Sequence, residues 1–266
     1  MPERALSEEQ IRQFDEDGYL IIEELFDPEE MEFILQVAHV DPQLAADTKA
    51  NKNFEDDEGL DTVLAYRGSL TDDIYSAYGR YQRIVGPMEE LLRGEVFHYY
   101  TLIMQKNPQS GGWQYHQDYG YHYQQFLFPS YAGCMVALNP ATRDNGCLKV
   151  YKGSNRLGRI DHRASGSQLI ADPERLALAA DALEEVYCEL EPGSVLYYHS
   201  NTLHASDPNL SSVPRWTLIY GYVASTNVCI QPDDADSQYA YLDKMDAAQV
   251  GEAGRRHWEQ IQAPLL

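Results

Sequence analysis

From Glu95 onward the chain consists of short segments rich in tyrosine, valine, isoleucine and leucine, each interrupted by a turn cluster such as NPQSGG, RDNG or LEPGS. Segments this short at this spacing leave no room for long helices, and they bury their apolar faces by closing into a sandwich or barrel. Candidate strands run over Val96 to Gln105, Trp113 to Tyr121, Ala132 to Asn139, Cys147 to Tyr151, Val186 to Leu190, Ser194 to His199 and Arg215 to Ala224. A double-sheet jelly roll accommodates that number. Residues 172 to 184 read as an inserted helix.

The first third reads differently. Ser7 and Gln10 make a capping box ahead of Ile11 and Phe14, and Gly18 is the expected stop. Tyr19 to Ile22 reads as a short strand. Asp27-Pro28-Glu29-Glu30 opens a second helix carrying Met31, Ile34, Leu35 and Ala38. Residues 42 to 70 read as polar and irregular, and a third helical stretch, broken at Gly86-Pro87, runs to Leu92 and closes at Gly94. The tail from Ser237 to Gln262 reads as helical. With no repeat or linker, the expectation is one domain over 1–266: a helical part to about 94, a β core over about 95–230, and a helical tail.

Charge and apolar patterning narrow the partners. A formal charge of −22 opposes nucleic acid and anionic lipid, since binding either requires lysine and arginine to displace counterions. No apolar run approaches the ~18 residues of a membrane span. MPERALSEEQ lacks a basic start and apolar stretch, so the cytoplasm is expected. Cys134, Cys147, Cys188 and Cys229 are scattered without a CxxC pair and read as reduced core residues.

The chemistry concentrates in WQYHQDYGYHY, residues 113–123. On a strand, residues two apart share a face, so His116 and Asp118 would project together. A further imidazole would complete a two-histidine, one-carboxylate set of the kind that holds non-haem iron(II), although zinc accepts the same ligands. The best donor is His204 in NTLHASDPN, on a loop just after a strand. Arg215 opens an apolar strand with Trp216, Leu218, Tyr220 and Tyr222, where an unpaired guanidinium is costly to bury. Its planar fork suits a dicarboxylate that chelates the metal with its other end.

The chain resembles the phytanoyl-CoA dioxygenase family of iron(II)- and 2-oxoglutarate-dependent oxygenases. The resemblance rests on SEEQIRQFDEDGYLIIEELFDPEE, Lys106, the HQD of WQYHQD, DNGCLKVYKGSN, LEPGSVLYYHSNTLHASDPNLS and Arg215, in that order along most of the chain. It implies a double-stranded β-helix, a cupin-like jelly roll. It also implies that His116, Asp118 and His204 bind Fe(II), that Arg215 grips the distal carboxylate of 2-oxoglutarate with Ser206 bonded to the same group, and that Lys106 and Met135 line the co-substrate pocket. Dioxygen is then the oxidant, and succinate and CO2 accompany hydroxylation of a small molecule. Two positions depart from the pattern. Tyr115 stands where relatives often carry tryptophan, and Gly153-Ser154-Asn155 where they often carry GSH, but neither change removes a ligand. Related halogenases replace the carboxylate with a small residue, whereas Asp118 is present here.

Continued alternation past Asp118 would put Gly120 and His122 on the metal side, with Tyr119, Tyr121 and Tyr123 opposite. Tyr119, Tyr121, His122 and Tyr123 are the candidates for substrate contact, and a cluster of this kind allows an aromatic cage for a quaternary ammonium. The stretches 42–70 and 152–185 are expected to act as lids. A CoA thioester is disfavoured by the lack of a basic cluster for its phosphates. The competing readings are a cupin-like metalloenzyme that does not use 2-oxoglutarate, and a non-catalytic jelly-roll binding protein.

Overall fold

A computed structural model describes residues 5–52, 60–230 and 242–263. In α1 (Glu8–Asp17) the Ser7 hydroxyl accepts from the Gln10 N–H while the Gln10 side chain accepts from the Ser7 N–H. The helix ends at Gly18, whose φ of 82° is accessible without strain only to glycine. After β1 (Tyr19–Ile22), α2 (Pro28–Val40) starts behind Asp27, whose N–H donates to the Glu30 side chain.

Two expectations for the first third are corrected. The supposedly irregular stretch 42–70 holds α3 (Pro42–Asp47), β2 (Lys49–Lys52) and β3 (Asp61–Arg67). The third helical stretch is two helices, α4 (Ile74–Gly79) and α5 (Gln82–Leu91), divided at Arg80-Tyr81 rather than at Gly86-Pro87. Pro87 lies inside α5, where burial beside Ile84, Val85, Met88 and Leu91 offsets one missing backbone hydrogen bond. At its far end Arg93, not Gly94, takes the left-handed conformation.

The β elements follow as β4 (Val96–Lys106), β5 (Trp113–His116), β6 (Tyr131–Ala137), β7 (Leu148–Tyr151), β8 (His162–Ser165), β9 (Gln168–Ala171), β10 (Glu185–Cys188), β11 (Val195–His199), β12 (His204–Ser206) and β13 (Arg215–Ala224). A short helix α6 (Asp118–His122) follows β5, α7 (Pro173–Ala182) fills the expected insertion, and α8 (Ala247–Gln262) forms the tail. The part of the expected tail helix from Ser237 to Tyr241 lies outside the described residues.

A seven-stranded sheet, ordered β1-β11-β6-β13-β4-β3-β2, faces a four-stranded sheet, ordered β10-β7-β12-β5, with β8 and β9 as a separate hairpin. All these pairings are antiparallel. Alternation on β13 divides the core. Leu218, Tyr220 and Tyr222 pack outward beneath Phe14, Ile34 and Ile84 of the helices. Ile219 and Val223 pack inward with Met104 and Met135 toward Leu148 and Val150 of the small sheet. Each large apolar side chain so buried contributes roughly 1.5–3 kcal/mol.

The pairing of β13 with β4 slips between Gly221 and Tyr222, so the register passes from Tyr100 to His98 and skips Tyr99. That bulge puts the consecutive residues Tyr99 and Tyr100 into the same inter-sheet core. Gly221 is required opposite them, because a Cβ there would lie 2.5 Å from the Tyr100 ring. None of the four cysteines is in a disulfide. Among the described residues no helix is long and apolar enough to cross a membrane.

Candidate metal centre

His116 closes β5, and His204 opens β12 directly opposite it in register. The placement of His204 on a loop is thereby corrected: it sits on a three-residue strand between β5 and β7. Asp118 arrives by a different route from the one alternation predicts. The strand expected to reach Tyr121 ends at His116, and Asp118 is the first residue of α6. The turn is fixed by backbone bonds from Tyr119 N–H to the Ser200 carbonyl and from Gly120 N–H to the Gln117 carbonyl.

The three side chains meet. His116 Nε2 lies 3.6 Å and His204 Nε2 3.4 Å from Asp118 Oδ1, and the potential ligand atoms all fall within 4.8 Å of one another. His116 Nδ1 lies 2.7 Å from the Gln114 carbonyl and His204 Nδ1 2.9 Å from the Thr202 carbonyl. A carbonyl only accepts, so each Nδ1 carries the hydrogen and each Nε2 presents its lone pair to the shared point. Cis ligands on bonds of roughly 2.1 Å stand about 3 Å apart, so a small contraction brings the set onto one ion. Burial alone would push the Asp118 carboxyl up, yet the adjoining imidazoles of His204 and His116 outweigh it and hold the group well below the carboxylate range. Burial lowers His116, with His204 adding to the effect, while Asp118 outweighs burial at His204 and raises it. Without a metal the pocket thus pairs a carboxylate with a protonatable His204, and a cation at the shared point would take the place of that proton.

Arg215 lines the same cavity of about 270 Å³, together with Ser206 and Met135. It is 1% exposed and, among the described residues, no carboxylate pairs with it. Its Nη1 lies 3.8 Å from Met135 Sδ, its Nε has no partner, and burial pushes it down to about 10. Lys106 stands opposite Arg215 in register but does not line this cavity. Its buried ammonium donates to Ser206 Oγ at 3.0 Å, to the Gly146 carbonyl at 3.2 Å and to the Asp207 carbonyl. Since an ammonium has no acceptor, the Ser206 hydroxyl accepts from Lys106 and keeps its own proton for a group in the cavity.

The four aromatic candidates separate. Tyr121 and His122 line the cavity. Tyr119 is buried with its hydroxyl donating to the Phe126 and Leu127 carbonyls, and Tyr123 is half exposed under the Arg159 guanidinium, so substrate contact is not supported for these two. The helical turn of α6 replaces the alternation that would have set His122 apart from Tyr119, Tyr121 and Tyr123. Sequence reasoning missed Tyr66, Tyr100, Trp113 and Tyr198, which also line the cavity. Tyr100 donates to Asp118 Oδ2 at 3.3 Å, an aim created by the β4 bulge that no sequence pattern announces.

Gln117, between the two ligands, was also missed. It is fully buried; its Nε2 donates to the Gly158 and Asn201 carbonyls, each at 2.7 Å, and its Oε1 accepts from Ile160 N–H at 2.7 Å. Its backbone N–H donates to His162 Nε2 at 2.9 Å, which gives that histidine a supporting place. One side chain therefore ties the His116–Asp118 turn to the loop leading into His204. Gln117→Leu leaves three backbone groups unpaired, two of them buried, and is expected to cost about 3 kcal/mol, read as a lowered denaturation midpoint. An unchanged midpoint would show that the tie is unnecessary.

The sequence model of the phytanoyl-CoA dioxygenase (PhyH) family matches residues 14–217. The chain belongs to that family. It is 26% identical over 195 residues to L-proline trans-4-hydroxylase of Streptomyces griseoviridis, covering 66% of this chain and 73% of the relative. Methylphosphonate hydroxylase of Gimesia maris is 26% identical over 258 residues, covering 94% and 91%. The crystal structure of EctD from S. alaskensis with 2-oxoglutarate and 5-hydroxyectoine superposes with a TM-score of 0.74 at 20% identity, covering 92% of this chain and 89% of that one. The family fold of facing antiparallel sheets, the double-stranded β-helix, is the fold observed here.

Proposed function

We propose that residues 1–266 form one oxygenase domain that hydroxylates a small molecule, with Fe(II) held by His116, Asp118 and His204 and 2-oxoglutarate as co-substrate. The observation that carries this reading is Arg215: a buried guanidinium without an acidic partner among the described residues, opening into the cavity that holds the three ligands. Such a group is stabilised only when an anion enters, and a dicarboxylate that also reaches the metal fits both ends of the cavity. Ser206, oriented by Lys106, adds a hydroxyl donor to the same carboxylate, and Met135 shields it.

Iron(II) with 2-oxoglutarate supplies oxidative decarboxylation by dioxygen: one oxygen atom ends in succinate, the other in the hydroxylated product, and CO2 leaves. Two electrons come from the keto acid and two from the C–H bond. The chain's part is to hold the imidazoles by their Nδ1 hydrogens, seat the co-substrate on Arg215, and enclose the substrate among Tyr100, Tyr121 and Tyr198, away from water. Four cysteines outside any disulfide suit a cytoplasmic setting.

The test is succinate release across small-molecule classes with iron and ascorbate present. The expected result is release that requires iron and rises with one class of substrate. Turnover of a substrate at full rate without 2-oxoglutarate would replace this reading with that of a cupin-like metalloenzyme.

A further inference from the structure

Substrate charge follows from the groups that face the cavity. Among the described residues its charged lining consists of Asp118 and Arg215. On the function proposed above, the divalent ion and Arg215 are balanced by Asp118 and the two carboxylates of 2-oxoglutarate, so the loaded site is formally neutral. Lys106 lies behind the lining, its three hydrogens engaged by Ser206, Gly146 and Asp207. Among the described residues no lining cation is left over for a phosphonate, a carboxylate or a CoA thioester.

What remains is π surface, arranged in a row. Tyr66 is 57% exposed at the mouth and stacks on Tyr100 at 6.2 Å and 28°. Tyr100 stacks in turn on His122 at 5.8 Å and 30°. The far end of the row reaches the metal ligands, where the Tyr100 hydroxyl donates to Asp118. At the near end, Asn51, Leu64 and Tyr66 are shared with an outer cleft of about 800 Å³. In that cleft Asp41, Asp47, Asp72 and Asp73 outnumber Lys49 and Arg67. Negative ring faces between an acidic approach and a neutral site attract a cation and repel an anion.

We infer that the substrate is a small organic cation, an ammonium compound guided through the acidic cleft and held against the Tyr66 and Tyr100 rings with a C–H bond turned toward the metal. The inference rests on the proposed function and deepens it. It narrows a choice that the family's activities leave open.

The experiment uses the full chain loaded anaerobically with iron(II) and 2-oxoglutarate, whose chelate is followed by its visible charge-transfer absorbance. Calorimetric titration with tetramethylammonium chloride, and separately with sodium methylphosphonate, is carried out at constant ionic strength. Tetramethylammonium is expected to bind saturably, about fivefold more weakly in Tyr66→Ala and near the original affinity in Tyr66→Phe, the size of one exposed cation–π contact. Methylphosphonate is expected to give no saturable heat. Saturable methylphosphonate binding, absence of tetramethylammonium binding, or equal affinity in Tyr66→Ala would each overturn the inference. The absorbance separates the two claims: if it forms and the ammonium probe fails, only the substrate class is wrong, whereas if it never forms, the iron and 2-oxoglutarate assignment itself falls.

Discussion

Asp118→Ala is expected to abolish iron-dependent succinate release, by at least about a thousandfold, while the protein remains folded. The carboxylate is the only anionic member of the metal cluster, and both Nε2 atoms lie against its Oδ1. Its removal leaves two neutral imidazoles, too few to hold a labile divalent ion against water, and a thousandfold loss corresponds to roughly 4 kcal/mol of transition-state stabilisation. The fold tolerates the change because Asp118 carries no backbone bond through its side chain beyond its place at the start of α6; Tyr100 loses one acceptor. Anaerobic titration of iron(II), paired with thermal unfolding, reads both parts. Iron affinity equal to that of the original protein would remove the carboxylate from the metal site.

Arg215→Met is expected to separate co-substrate affinity from stability. Two charge-assisted hydrogen bonds to a carboxylate, at roughly 1.5–3 kcal/mol each, imply a rise of at least about a hundredfold in the KM for 2-oxoglutarate. In the absence of 2-oxoglutarate the same variant should melt at the original temperature or above it. Among the described residues no carboxylate pairs with this buried guanidinium, and burial pushes it down to about 10, the mark of a charge held at a cost to the folded state. Added 2-oxoglutarate should stabilise the original protein and not the variant. A variant that unfolds, or one with an unchanged KM, would assign Arg215 a structural role instead.

Much of this architecture is legible in the sequence, for identifiable reasons. The inner strands β4, β6, β11 and β13 are buried on both faces, so they read as apolar runs. The capping box at Ser7 and the stop at Gly18 are local chemistry and are found where the residues place them. The outermost pair beyond β4 is not legible in the same way, although the edge strands β1 and β10 are. β2 and β3 pair at the sheet's rim and carry Lys49, Asn51, Asp61 and Arg67, so no apolar alternation marks them. β12 is too short for any period to register, although it carries His204.

The metal cluster shows a subtler limit. Strand alternation correctly brings His116 and Asp118 together for the wrong reason. The chain leaves the strand after His116, and it is the turn into α6 that aims Asp118 at the imidazoles. The same turn sends Tyr119 and Tyr123 away while Tyr121 and His122 line the cavity. Nor does spacing reveal Gln117 or Tyr100, whose roles depend on a loop closing over one and a bulge redirecting the other.

The two histidines belong to the four-stranded sheet and Arg215 to the seven-stranded one. On the proposed function, a co-substrate reaching from Arg215 to the three ligands would join the two layers of the sandwich, so its binding would brace the fold as well as supply the reaction.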